Sequence, residues 1–279
     1  MSELHVAIEA EKIFSFFGFP VTNSFLCTLS LSLLFILFAF WYKKQDLKKK
    51  PSRGKLIIDM ILEGLLSFFK DVAGPKTYEF FPLLGTFFFF IIFANWFGLL
   101  PGMGSIGLDV IHENEKHFIP FFRGPTADLN TTLALALITA FMAQFYGFKH
   151  LGVKAYLSKF FNFSNPLYTF VGFLELISEF SRIISYAFRL FGNIFAGEVL
   201  LAVMGYLIPF LAPLPFLGLE VFVGFIQALV FTMLSLVFWS IATEHHDSNH
   251  EEKDEVEILK KNDSFSEENI NKENLAFSK

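Results

Sequence analysis

Cysteine is nearly absent from this chain of 279 residues. The single copy, Cys27, sits in an apolar run, which excludes an internal disulfide and any cysteine-based metal cluster. Histidine is missing from the apolar stretches: His5, His112, His117, His150, His245, His246 and His250 all lie outside them. A membrane haem or redox subunit therefore lacks its ligands. Paired aspartates and nucleophile–base sets are also missing from those stretches, which disfavours an intramembrane protease. No internal repeat occurs, which disfavours the inverted-repeat transporters. Charged residues make up only 18% of the chain, concentrated in a few loops and the C-terminal tail, and this is too few for a soluble domain of such apolar content.

What fills the chain instead is hydrocarbon. Hydrophobic residues reach 53%, phenylalanine alone numbers 41, and the mean hydropathy is +0.51. These values describe a multi-spanning membrane protein. The phenylalanines read as lipid-facing bulk or codon bias, since no aromatic cage or stacking pattern emerges. The formal charge of −5 reflects the acidic tail more than the body.

Apolar runs and basic loops give the order of the chain. Residues 1–23 form a mildly acidic N-terminal segment, expected outside. Ser24 to Tyr42 is long enough to span, and Lys43, Lys44, Lys48, Lys49, Lys50, Arg53 and Lys55 follow it; the positive-inside rule makes that loop cytoplasmic. Leu56 to Val72 reads as an amphipathic helix on the cytoplasmic surface, or as a soluble-type helix packed on another subunit. Glu79 to Leu100 is a second span, stopped by Pro101 and Gly102. Met103 to Gly124 is an external loop. Pro125, Asp128 and Asn130 then open a third span, Thr132 to Phe148, with Asp128 and Asn130 read first as helix caps and second as channel-mouth groups. The apolar segment Phe216 to Ile241 returns to the inside after a proline loop. The membrane domain is 24–243, and 244–279 is expected to be a disordered acidic cytoplasmic tail. The fold class is an all-α membrane protein with about five membrane-embedded helices and one amphipathic surface helix, the last two membrane helices forming a long, tilted antiparallel pair.

The informative stretch is Phe170 to Ile208, apolar yet bearing Glu175, Glu179, Arg182, Arg189 and Glu198. As one helix it would run about 58 Å against a hydrocarbon core of about 30 Å. It must break in two or lie steeply tilted against something that solvates its charges. Glu175, Glu179, Arg182, Tyr186, Arg189 and Asn193 recur at alternating steps of four and three, so they share one helix face. Glu198 lies about 900° past Arg189, on nearly the opposite face. Ser178, Ser181, Ser185 and Gly192 flank the stripe with small residues that admit a neighbouring helix. For Arg182 an interfacial salt-bridge cluster with the two glutamates is one reading, and a place on an ion pathway is the other. Arg189 has no acid within one turn and needs a partner from another segment or chain. On the last segment, Glu220 lies towards the outer end, and Gln227 lies two turns deeper on the same face, at a depth where its amide reaches a guanidinium such as Arg189.

Phe188-Arg189-Leu190-Phe191-Gly192-Asn193, with Ala196-Gly197-Glu198 beyond, resembles the signature of subunit a of F-type ATP synthases. Asn95 to Pro101 and Pro125 to Thr131 are similar to further motifs of that family. The resemblance implies a stator subunit, itself non-catalytic, that supplies two aqueous half-channels in the cell (inner) membrane. Its implied partners are the subunit c ring, the subunit b peripheral stalk and the lipid bilayer, with no nucleic acid and no cofactor. It implies that Arg189 attracts a deprotonated rotor carboxylate, that Glu198, Glu220, Asn193 and Gln227 line or tune the outer access, and that Glu175 serves the inner one. Some members carry a histidine where this chain has Glu220; two acids suit a proton relay or a different coupling ion. A generic secondary ion transporter is the alternative class.

Overall fold

The computed structural model describes residues 10–16, 19–46, 52–100, 107–112, 115–160, 166–208 and 211–244. The chain divides into two units, 1–243 and 244–279; the second, which carries the expected disordered tail, lies outside the described residues apart from Glu244. The expected lysine run at Lys48 to Lys50 and residues 1–9 and 17–18 of the N-terminal segment lie outside them too.

Seven helices follow in order: α1 (Asn23–Asp46), α2 (Arg53–Ala73), α3 (Thr77–Gly98), α4 (Leu129–Leu151), α5 (Val153–Phe160), α6 (Pro166–Leu207) and α7 (Pro213–Ala242). Five runs are long and apolar enough to cross a membrane: α1, the α2–α3 run, α4, α6 and α7. The expected all-α membrane fold is the one observed. Two small antiparallel hairpins go beyond it: β1 (Lys12–Phe16) with β2 (Phe19–Thr22), and β3 (Gly107–His112) with β4 (Glu115–Pro120). The short eight-residue helix α5 was also not expected from the sequence.

α6 does not break. Its 42 residues continue through every charge without an internal proline. The reason is local: leucine, isoleucine, phenylalanine and alanine fill the turns between charges, and no residue there lacks an N–H.

α7 is the centre of the bundle, packed by α2, α3, α4 and α6. It runs antiparallel to α6, because Gly197 faces Glu220, Asn193 meets Gln227, and Tyr186 meets Phe231. The core holds many of the aromatic residues. Phe80, Tyr146 and Trp239 form an edge-to-face and tilted trio with centroids 4.7–5.8 Å apart. Trp239 also donates its indole N–H to the Thr139 carbonyl at 3.0 Å. Each such aromatic pair adds about 0.5–1.5 kcal/mol beyond its burial. The phenylalanines therefore divide between core and lipid-facing bulk: Phe25, Phe40 and Phe141 point outward, as a bilayer allows.

α5 folds back against α4. A Cβ on Gly147 would collide with the Tyr156 ring, so the glycine is what lets the two helices close. The Tyr156 hydroxyl is pushed up to about 12, chiefly by burial, with the negative charges of Glu179 and Glu175 adding to it.

Candidate functional site

Where α6 meets α7, polar groups gather on an otherwise apolar bundle, with Gln227 and Glu220 buried and Asn193 exposed. Asn193 donates its amide to Gln227 Oε1 at 2.7 Å. Gln227 is buried, and its Nε2 has no hydrogen-bond partner among the described residues. Thus Gln227 binds Asn193 and not Arg189, although the sequence placed it within reach of the arginine. One more turn of α6 brings Gly197 against the Glu220 carboxylate. A Cβ at Gly197 would occupy the volume that the carboxylate fills. The glycine is therefore the socket for a buried acid, since Glu220 is only 6% exposed.

Beside this socket lies a cavity of about 190 Å³, lined by Asn95, Gly124, Ala127, Glu198, Leu201 and Glu220. It is roomy enough for several waters at about 30 Å³ each. Asn95 fixes one wall by donating to the Gly224 carbonyl at 2.9 Å, while its buried Oδ1 has no partner among the described residues. Glu198 reaches the cavity from α6 and is paired with Arg123 at 3.4 Å. Sequence reasoning missed Arg123 and Asn95. Asn95 had been noted only within a motif. Arg123 had one available signal: it is the last charge before the Pro125–Asp128 turn, in a segment facing two acids that need a cation.

The capping expectation for Asp128 holds. Its Oδ1 accepts from the Asn130 N–H at 3.0 Å, and its Oδ2 accepts from the Ser24 hydroxyl at 2.5 Å.

Arg182 and Arg189 share one face of α6 but differ in surroundings. Arg182 pairs with Glu179 at 2.7 Å and lies 4.0 Å over the Phe238 ring. Arg189 is exposed, hydrogen-bonds Ser185 at 3.3 Å, and forms no salt bridge among the described residues. Ser178, Ser181, Ser185, Gly192 and Ala196 are exposed around it. The structure places Glu175 fourteen residues before Arg189, on the α5 side of the bundle and apart from the Glu198–Glu220 cavity.

Long apolar helices that carry a seam of amides and carboxylates, buried at Glu220 and Gln227 and open at Asn193, with an exposed cation on the same helix as Asn193, define a multi-pass membrane protein of ion-handling character. Comparison with known proteins narrows the class. The family described as ATP synthase A chain matches residues 24–240. The chain is 36% identical over 239 residues to an ATP synthase subunit a of Desulfotalea psychrophila, covering 81% of this chain and 90% of that one. It is 32% identical to an ATP synthase subunit a of Desulforamulus reducens, covering 87% of each. A third relative, an ATP synthase subunit a of Helicobacter hepaticus, is 32% identical over 82% of this chain and 94% of its own. The chain belongs to the ATP synthase A chain family.

Proposed function

We propose that the chain is the stator half of the proton path, with Arg189 as the charge that couples the path to a moving rotor. The observation that carries this is the bare face of α6. An arginine at bilayer depth costs roughly 2.5–3.5 kcal/mol on insertion scales, so it must gain a counter-charge to remain there. Among the described residues Arg189 has only a serine hydroxyl as partner, and small residues surround it where another helix can approach. A carboxylate on such a helix, one of a ring of c subunits, supplies the missing charge.

Two access routes complete the reading. The cavity at Glu198 and Glu220, extended by Asn193 and Gln227, forms the outer route. Its buried amide atoms keep hydrogen-bonding capacity for water. Glu175, beside Glu179 and α5, belongs to the inner route. A proton passing from the outer acids neutralises a rotor carboxylate, which can then face lipid cheaply. After nearly a full turn the carboxyl group releases its proton to the inner route. Arg189 stands between the routes and repels any proton that would cross directly. Each charge moved contributes about 2.3 kcal/mol per 100 mV. The subunit b stalk holds the assembly, the N-terminus lies outside, and the C-terminus lies in the cytoplasm of a bacterial-type inner membrane. A reporter at each terminus checks that orientation.

The test uses cysteines at Ser185 and Ala196 with Cys27 replaced by serine. In the purified complex both should crosslink to one small helical-hairpin subunit. Crosslinking to no subunit, in complexes that assemble, overturns the reading of that face.

A further inference from the structure

Two acids line the cavity, and the cation that pairs with one of them comes from a part of the chain with no place in the coupling scheme above. Arg123 lies between β4 and the turn at Pro125–Ala127. Its side chain is only 7% exposed, and its guanidinium is 3.4 Å from Glu198 Oε2.

The backbone that carries Arg123 is clamped on both sides. Gly124 packs against Gly98 so closely that a Cβ on Gly98 would lie 3.1 Å from the Gly124 Cα. Pro125, Thr126 and Ala127 are buried, and Asp128 is engaged by Ser24 and by the Asn130 N–H. The guanidinium is thus delivered from a rigid base, as a group that must hold another in place requires. Arginine also keeps its charge throughout the accessible pH range.

The two carboxylates are treated differently. Glu198 has the Arg123 counter-charge, whereas Glu220, seated on Gly197, forms no salt bridge among the described residues. The charged groups that face Glu198 are Arg123 from the loop and Glu220 from α7. Arg123 and Glu220 are buried while the Glu198 side chain is 42% exposed, and a site with one cation and two acids is neutral when one acid carries a proton.

We propose that Arg123 is a positioning residue of the outer route: it holds Glu198 as a fixed anion at the cavity, so that Glu220 is the carboxyl group that exchanges protons. The proton balance is simple. A hydronium in the cavity gives its proton to the Glu220 carboxylate and becomes water, and the resulting acid passes that proton to the next carboxylate. Arg123 and Glu198 take no proton; their pair keeps the field at Glu220 constant from one transfer to the next. This proposal rests on the outer-route reading given above.

ATP-driven proton pumping is measured across pH in inverted vesicles containing the whole complex, with subunit content quantified. Four variants are compared: Glu198→Gln, Arg123→Gln, Arg123→Lys, and the double change Arg123→Gln/Glu198→Gln. Arg123→Gln should slow pumping by roughly tenfold, the effect of one lost charge-assisted bond, and displace the pH profile. Arg123→Lys should recover part of the rate and restore the profile. The double variant should match Glu198→Gln alone, because Arg123 acts through Glu198. Losses that multiply in the double variant, or an unmoved pH profile, overturn the proposal. Should Arg123→Gln fail to assemble, the double variant decides: restored assembly supports the charge pair, and continued failure overturns it. Wild-type pumping by Glu198→Gln is a separate outcome, which removes the outer-route reading itself.

Discussion

Arg182 and Arg189 stand two turns apart on the same stripe of α6, yet among the described residues only Arg182 has a counter-charge. Arg182 has a carboxylate at 2.7 Å and an aromatic face at 4.0 Å. A cation–π contact at a partly exposed site contributes about 0.5–1 kcal/mol beside the ion pair, so this arginine is anchored as a structural residue. Arg189 has a hydroxyl at 3.3 Å and an open surface. Spacing on a helix decides which residues share a face; the neighbouring helix decides which of them remain available. Phe238 of α7 covers Arg182, and α7 leaves Arg189 bare.

The largest expected effect breaks this comparison at its exposed member. Arg189→Ala should abolish ATP-driven pumping in inverted vesicles, by roughly a hundredfold or more, while passive leak through the assembled sector persists or rises. Arg189→Lys should be nearly as damaging, since the planar fork is lost along with delocalisation. Near wild-type pumping by Arg189→Ala would make it a structural residue like Arg182. The next largest effect concerns the acids. Glu220→Gln should slow pumping by roughly tenfold or more, as expected on losing a proton-transfer group; flux at the wild-type rate would remove Glu220 from the route. Gly197→Ala comes third. The added methyl must displace the Glu220 carboxylate, so pumping should fall severalfold, with a stability cost of about 1–3 kcal/mol read from thermal dissociation of the complex. A change in stability with no change in flux would mean the carboxylate can sit elsewhere. The smallest effect belongs to the anchored arginine. Arg182→Gln should leave pumping within about threefold of wild type and cost roughly 1 kcal/mol, the scale of a partly exposed pair. A loss as deep as that of Arg189→Ala would erase the distinction between the two residues.

The helices were legible because a bilayer enforces simple composition. The sequence marks a span from Glu79 to Leu100, and α3 runs Thr77–Gly98; it marks Phe216 to Ile241, and α7 runs Pro213–Ala242. The stripe on α6 was legible because helical periodicity holds along an unbroken helix. The β3–β4 hairpin was not, because its residues mix charge and apolar character without a tight-turn signal. Arg123 was hidden for another reason: its partner lies 75 positions away, and no local period connects a loop residue to a helix residue at that distance. The Gln227 partner was misjudged by one turn of α6. Depth along a helix was readable, but azimuth between two helices is set by packing, here by Gly197 and Tyr186.

The length of α6 carries a consequence for direction. To lie wholly within about 30 Å of hydrocarbon, a helix of about 63 Å would have to recline by roughly 60° from the membrane normal. Each residue then advances about 0.7 Å in depth and about 1.3 Å sideways. The nine residues from Arg189 to Glu198 therefore separate them by only about 6 Å vertically but by about 12 Å across the plane. A partner that slid past such a helix would meet Glu198 and Arg189 at different moments of its travel. Sequence order along α6 becomes a timetable.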